Sequence, residues 1–88
     1  PNGMSPNGDG LNDGLEIHGI EAFPDNTVKI FNRWGDEVFE KNGYQNSNQW
    51  RGESTAGGIV PDGTYFVILT VKDGENERNL DAYLEVRR

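Results

Sequence analysis

The sequence lacks cysteine, a long apolar run and an excess of positive charge. Without cysteine the chain has no disulfide and no thiolate metal ligand. Its longest apolar run, YFVIL at residues 65–69, is far shorter than the ~20 residues of a membrane-spanning helix, so no membrane insertion is predicted. Eight Lys and Arg against fifteen Asp and Glu give a net charge of −7. Because that charge repels phosphates, nucleic acid is excluded as a partner.

Residues that commonly build catalytic sites are also scarce. His18 is the only histidine, and without cysteine it has no partner for a common zinc site, so we expect it to be structural or exposed. No serine lies in a nucleophile-elbow pattern G-x-S-x-G. A carboxylate pair for glycoside hydrolysis stays open as a minor alternative, because most acids in a small acidic domain are solvated. The chain is predicted not to be an enzyme.

The length of 88 residues predicts one monomeric domain with a thin core. Four Phe, three Tyr and two Trp supply much of that core, with Tyr44 and Trp50 as anchors of a long loop. Trp34 and Trp50 are also able to stack on a sugar, but in so small a domain we expect both rings in the core. Because the chain begins with Pro1 and has no signal peptide, we expect it to be part of a longer protein.

Alternation of apolar and polar residues predicts antiparallel strands. The alternating runs cover residues 15–17, 27–32, 37–40, 64–72 and 80–86. Turn residues predict two hairpins, one at Gly35-Asp36 and one at Asp73-Gly74-Glu75-Asn76. The run 64–72 is apolar on both faces, which places it at the centre of the sheet. No segment has helical spacing, so the predicted fold class is all-β.

The stretch SPNGDGLNDGLE has the spacing of a calcium-binding loop. Against the pattern D-x-[DN]-x-[DN]-G-x5-E, Ser5 replaces the first Asp and Gly10 falls at the sharp turn. The oxygen ligands in this pattern are the side chains of Asn7, Asp9, Asp13 and Glu16 and the carbonyl of Leu11. Pro6 excludes the entering helix of an EF-hand, and the alternative is a loop whose Asn and Asp side chains bond their own backbone. The sequence permits Ca²⁺ but requires no cofactor.

Several stretches occur in an order that is typical of one family. They are SPNGDGLND, FNRWGDEVFE, QWRG, VPDGTYFVI and LDAYLEVRR. Together they resemble the gliding motility-associated C-terminal domain over nearly the whole chain, with Gly14, Arg51 and Ala82 as departures from its usual residues. The resemblance implies one sorting domain over residues 1–88, with a loop over 1–14 followed by an immunoglobulin-like antiparallel β-sandwich of about seven strands over 15–88.

The resemblance also implies a function. Domains of this kind lie at the C-termini of large surface adhesins and secreted proteins of Bacteroidetes. They direct these proteins from the periplasm across the outer membrane to the cell surface by type IX secretion. The implied partner is the secretion machinery, in particular an outer-membrane barrel protein of the SprF kind. We predict that Tyr83, Arg87 and Arg88 contact it through the last strand, unless that strand merely completes the sheet. The alternative function is a calcium-stabilised adhesive or carbohydrate-binding module.

Overall fold

The computed structural model describes residues 2–4, 14–55 and 57–87. Their strands form one sheet, in the order β1-β5-β4-β2-β3. The strands are β1 (Asn2–Met4), β2 (Asn26–Phe31), β3 (Glu37–Asn42), β4 (Gly63–Asp73) and β5 (Asn76–Val86). Two single-turn 3₁₀ helices, Ile20–Ala22 and Asn46–Asn48, lie in the connections. These ranges contain no α-helix, and the predicted all-β class is confirmed.

The four longer strands pair antiparallel, and β1 runs parallel to the end of β5. Gly35 turns the β2–β3 hairpin with a φ of 87°, and Gly74 turns the β4–β5 hairpin with a φ of 64°. Glycine favours these left-handed angles because it has no Cβ. Both predicted hairpins are confirmed, and β4 is the central strand of the sheet.

The structure differs from the sequence prediction at residues 15–17 and at the N-terminus. Residues 15–17 are not a strand, because their backbone bonds to the Asn46 side chain and to Trp50 instead of to a neighbouring strand. Strand β1 lies inside the segment predicted to be an N-terminal loop. The described residues form five strands in one sheet, so the seven strands and the second sheet of a sandwich stay a prediction.

The core lies on one face of the sheet, beneath the two long connections that span residues 14–25 and 43–62. The buried apolar residues of the sheet are Val28, Ile30, Tyr65, Val67, Val71, Leu84 and Val86. Those of the connections are Leu15, Ile20, Tyr44, Trp50 and Val60. The Trp50 ring centroid lies 5.7 Å from that of Phe39 and 6.2 Å from that of Tyr65. Tyr44 and Trp50 are each 1% exposed, which confirms their role as loop anchors.

Some apolar residues that the sequence placed inside are exposed. Trp34 is 70% exposed, so its prediction as core is wrong; it occupies the tight turn between β2 and β3, outside the reach of the long connections. Ile68, on the solvent face of β4, and Leu80, near the start of β5, are 37% and 55% exposed. The connections cover only one face of the sheet, and they stop short of the first half of β5.

Candidate functional site

The predicted calcium ligands fall largely outside the described residues, as Asn7, Asp9, Leu11 and Asp13 all do. The remaining one, Glu16, is exposed, and its Oε2 lies 4.0 Å from Nδ1 of His18. The His18 side chain is 92% exposed, in agreement with its expected exposed role. In residues 14–55 and 57–87, no group of three His, Asp or Glu side chains is placed to hold a metal. The calcium loop therefore stays a prediction.

The segment that carries Glu16 is fixed to the core by Tyr44. The Tyr44 hydroxyl donates to the Leu15 carbonyl at 2.6 Å and accepts from the Trp50 N–H at 2.8 Å. The Leu15 N–H donates to the Trp50 carbonyl at 2.9 Å. Burial raises the pKa of Tyr44 to about 12, because the buried site disfavours the phenolate. Two connections distant in sequence are thereby joined at one hydroxyl.

Gly14 lies in a place where the structure leaves little room for a side chain. A Cβ at this position would lie 2.7 Å from Cβ of Gln49 and 2.5 Å from its Oε1. The backbone of residue 14 passes so close to Gln49 that a side chain has no room unless Gln49 moves. The absence of a side chain lets the chain reach Leu15 and its bonds to Trp50.

Two asparagines that the sequence did not single out also hold the two long connections together. Asn26 is 4% exposed; its Nδ2 donates to the Phe23 carbonyl at 2.7 Å, and its Oδ1 accepts from the Tyr44 N–H at 2.8 Å. The Asn46 side chain accepts from the Ile17 N–H and donates to the Ile17 carbonyl, both at 2.8 Å. The Asn46 amide thus pairs with both backbone groups of Ile17, as the backbone of a neighbouring strand would. No spacing in the sequence distinguishes these two from its other asparagines.

The predicted partner-binding residues lie at the end of β5. Tyr83 is 59% exposed, on the face opposite the core, and its ring centroid is 5.0 Å from that of Phe66. The strand register places Phe31 beside Phe66, so three aromatic residues cross the sheet in one row. Nε of Arg87 lies 3.5 Å from Oε2 of Glu85. Arg88 lies outside the described residues.

Trp34 stands at the same end of the sheet, in the turn that follows β2. Oδ1 of Asn32 accepts from the backbone N–H of Trp34 at 3.0 Å and from that of Asp36 at 2.9 Å. The Arg33 guanidinium carbon lies 4.4 Å from the centroid of the Trp34 ring, a cation–π contact. The turn is therefore held by its own hydrogen bonds while its aromatic side chain faces solvent.

We call the surface formed by Arg33, Trp34, Phe66, Tyr83 and Arg87 the aromatic end. A cleft between the Trp34 turn and the start of β4 runs past Arg87. Tyr, Trp and Arg are the residues that most often anchor protein–protein contacts. The sequence predicts a partner contact for Tyr83 and Arg87, but it gives no sign that Trp34 is exposed on the same end of the sheet.

An all-β domain that exposes aromatic and arginine side chains at one end of a rigid sheet has the features of a binding domain. The chain matches the CHU_C type IX secretion signal domain over residues 1–86. It belongs to that family, which confirms the resemblance drawn from the sequence. No curated protein matches the chain significantly.

The family establishes export by the type IX secretion system, to the cell surface or into the medium. The secretion machinery is accordingly a partner of the domain. No helix in the ranges that the structure describes has the length and apolar character needed to cross a bilayer.

Proposed function

We propose that this domain is a non-catalytic C-terminal address that directs a large surface adhesin or secreted protein, in gliding bacteria, through the type IX secretion system. The proposed receptor is an outer-membrane barrel protein of the SprF kind. Family membership supports the address role. The proposal includes an immunoglobulin-like sandwich of about seven strands, whose fixed shape gives a receptor a reproducible surface and reduces the entropy lost on binding.

Family membership carries the export function, and the aromatic end supports the proposed contact with a receptor. Arg87 lines the cleft beside the Trp34 turn, and we propose that it contacts the receptor together with Tyr83 and Arg88. Trp34 is 70% exposed in a turn whose backbone is held by Asn32, so little backbone freedom is lost when a partner covers it. An exposed Trp on an ordered turn is a residue type that often anchors protein–protein contacts.

The test uses a fluorescent protein with an N-terminal signal peptide and this domain at its C-terminus. It is expressed in a type IX-competent strain and in a secretion-deficient mutant. We expect surface or medium fluorescence in the competent strain alone, and at least a tenfold loss when Tyr83 and Arg87 are both changed to Ala. Ile59→Ala is the control for loss of an exposed apolar side chain, since Ile59 is 70% exposed against 59% for Tyr83 and lies outside the aromatic end.

Export of the parent domain in both strains, or in neither, contradicts the address function. Normal export of the Tyr83→Ala, Arg87→Ala variant contradicts the role of the aromatic end but leaves the address function standing. A thermal melt of each purified variant separates loss of binding from loss of folding.

The second candidate function is a calcium-stabilised module that binds carbohydrate. The exposure of Trp34 favours it, because a solvent-facing indole is the surface on which sugars stack. Trp50 takes no part, since it is buried and its Nε1 donates to the Glu53 carbonyl at 2.6 Å. A glycan array probed at millimolar calcium and with chelator tests this function. Binding that Trp34→Ala removes supports it, and a blank array at every calcium level rules it out.

A further inference from the structure

The outer edge of β5 is only partly paired. Strand β1 lies along residues 84–86, while β4 pairs with β5 along its whole length, from Asn76 to Val86, without a register shift. Within the ranges that the structure describes, no backbone hydrogen bond reaches the outer side of residues 76–83. This straight segment, which we call the β5 edge, is long enough for an added strand of about seven residues.

The turn between β4 and β5 determines which backbone groups face outward. The register joins Asp73 to Asn76 across a two-residue turn, and such a turn closes on a hydrogen-bonded pair. Hydrogen-bonded and non-hydrogen-bonded pairs alternate along an antiparallel ladder. Even-numbered residues of β5 therefore bond to β4, and the N–H and C=O groups of 77, 79, 81 and 83 point away from the sheet. Glu85 continues this alternation, and it is the residue that lies opposite Gly3 of β1. The outward-facing side of β5 is therefore the side on which β1 pairs.

An apolar groove runs beside the β5 edge on the core face. Leu15, Ile17, Leu69 and Leu80 line it, and Leu80 is 55% exposed. On the opposite face the edge presents Glu77, Asn79, Asp81 and Tyr83. An added strand would thus meet an apolar surface on one side and an acidic, polar surface on the other.

We propose that the β5 edge pairs with an extended segment of a protein of the type IX secretion machinery. This inference rests on the proposed function. Successive residues of a strand point to opposite faces, so the segment that fits has apolar residues at alternate positions, facing Leu80 and Ile17. Its other residues are polar or basic, complementary to Glu77 and Asp81. The added strand would lie on the same side of β5 as β1, next to the three residues that β1 already pairs with. Main-chain hydrogen bonds supply much of the affinity in this mode of recognition.

Asp81→Pro tests the pairing, because it removes one outward-facing N–H without touching a hydrogen bond to β4. Proline is tolerated on edge strands for this reason. Asp81→Ala is the matched control, since it removes the same carboxylate but keeps the N–H. We expect the export of the reporter to fall at least tenfold further for Asp81→Pro than for Asp81→Ala, whose own loss measures the contribution of the carboxylate alone.

Glu40→Pro is the second control, at the opposite edge of the sheet. The Val38 carbonyl accepts from Thr55 and the Gly43 N–H donates to Asn26, so Glu40, two residues after Val38, also faces outward. We expect normal export of this variant. Equal export of the two Asp81 variants, with equal melting temperatures, overturns the pairing. Equal losses for Asp81→Pro and Glu40→Pro overturn it also, because they show a general effect of edge proline.

Amide hydrogen exchange of the purified domain gives a readout that is independent of export. We expect the amides of 77, 79, 81 and 83 to exchange at least tenfold faster than those of 78, 80 and 82. Equal protection in a monomer would show that the chain covers its own edge, which overturns the proposal. A dimer that Asp81→Pro dissociates, detected by light scattering, would assign the edge to a second copy and overturn it too.

Export of the parent domain and export of the Asp81→Pro variant test the two proposals, the export function and the strand pairing, separately. If the parent domain fails to reach the surface of the competent strain, the proposed function is wrong, and the pairing with the secretion machinery falls with it. If the parent is exported and Asp81→Pro is exported equally well, only the pairing is wrong.

Discussion

The two edges of the sheet are built differently. Strand β3 has six residues, lies opposite a register shift between Ile30 and Phe31, and has its Val38 carbonyl capped by the Thr55 N–H at 3.0 Å. Strand β5 has eleven residues in an unbroken register, and its outer side is bare over residues 76–83 in the described part of the chain. Proteins usually blunt sheet edges by shortness, bulges or covering loops. The β3 edge has all three features, and within the described ranges the β5 edge has none of them, which supports the proposed pairing at the β5 edge.

The covering of β3 depends on the connection that spans residues 43–62. This connection is anchored on the core by Tyr44 and Trp50, and its Thr55 reaches the β3 edge. Within residues 14–55 and 57–87, no connection of comparable length folds back over β5, and a two-residue turn leads directly from β4 into it. In this part of the chain, the difference between the two edges therefore follows the lengths of these two connections.

The largest expected effect comes from removing the main anchor of the covering connection. Trp50→Ala should lower the free energy of unfolding by about 3 to 5 kcal/mol, the range for large aromatic truncations in cores. The amides of β3 should also lose protection more than those of β4, since Thr55 no longer holds its place. Urea denaturation and amide exchange measure the two effects. A loss below about 1 kcal/mol would contradict the core position of Trp50.

The next effect tests the hydroxyl that joins the two connections. Tyr44→Phe keeps the ring but leaves the Trp50 N–H and the Leu15 carbonyl without their partner. We expect a loss of about 2 to 4 kcal/mol, because each buried group without a partner costs roughly 1 to 3 kcal/mol. Tyr83→Phe is the control, since its ring is exposed, and should cost less than about 0.5 kcal/mol. Similar melts for the two variants would show that the Tyr44 bonds carry no net stability.

Alkaline pH should weaken the same anchor without any substitution. The pKa of Tyr44 is about 12 in the folded protein and about 10 in an unfolded chain. The stability from neutral Tyr44 is thus fully present below pH 10 and is lost between pH 10 and 12, when only the unfolded chain is ionised at this residue. The loss approaches roughly 2 to 3 kcal/mol. Urea melts over this range should fall more steeply for the parent than for Tyr44→Phe, and parallel curves would contradict the shift.

The smallest expected effect concerns the exposed indole. Trp34→Ala should change the free energy of unfolding by less than about 1 kcal/mol, because the ring is outside the core and the turn is closed by Asn32. The contrast with Trp50→Ala separates a residue kept for folding from one available for binding. A loss of 3 kcal/mol or more, measured by the same denaturation, would place Trp34 in the core.

Much of the sheet was predictable because local signals agree there. The runs 27–32 and 64–72 alternate clearly, and Gly35 and Gly74 supply the left-handed angles that their turns require. The run 15–17 failed because three residues carry too little pattern to identify a neighbour, and here the neighbour is the side chain of Asn46. At the candidate site, the polar face of the last strand was enough to propose Tyr83 and Arg87 as contact residues, whereas the outward-facing backbone groups of β5 required the register.

Local pattern alone predicted the all-β class and the two hairpins, since each depends on residues close together in the chain. The family followed from a resemblance in the order of several motifs, which the family match over residues 1–86 confirmed. Only the tertiary structure decided which tryptophan is buried. Trp34 and Trp50 are the same residue type, and they differ because one lies in a two-strand turn while the other lies in a connection folded over the sheet. It also decided that the β3 edge is covered, by Thr55, since covering an edge requires contacts between segments far apart in sequence, which no local pattern records.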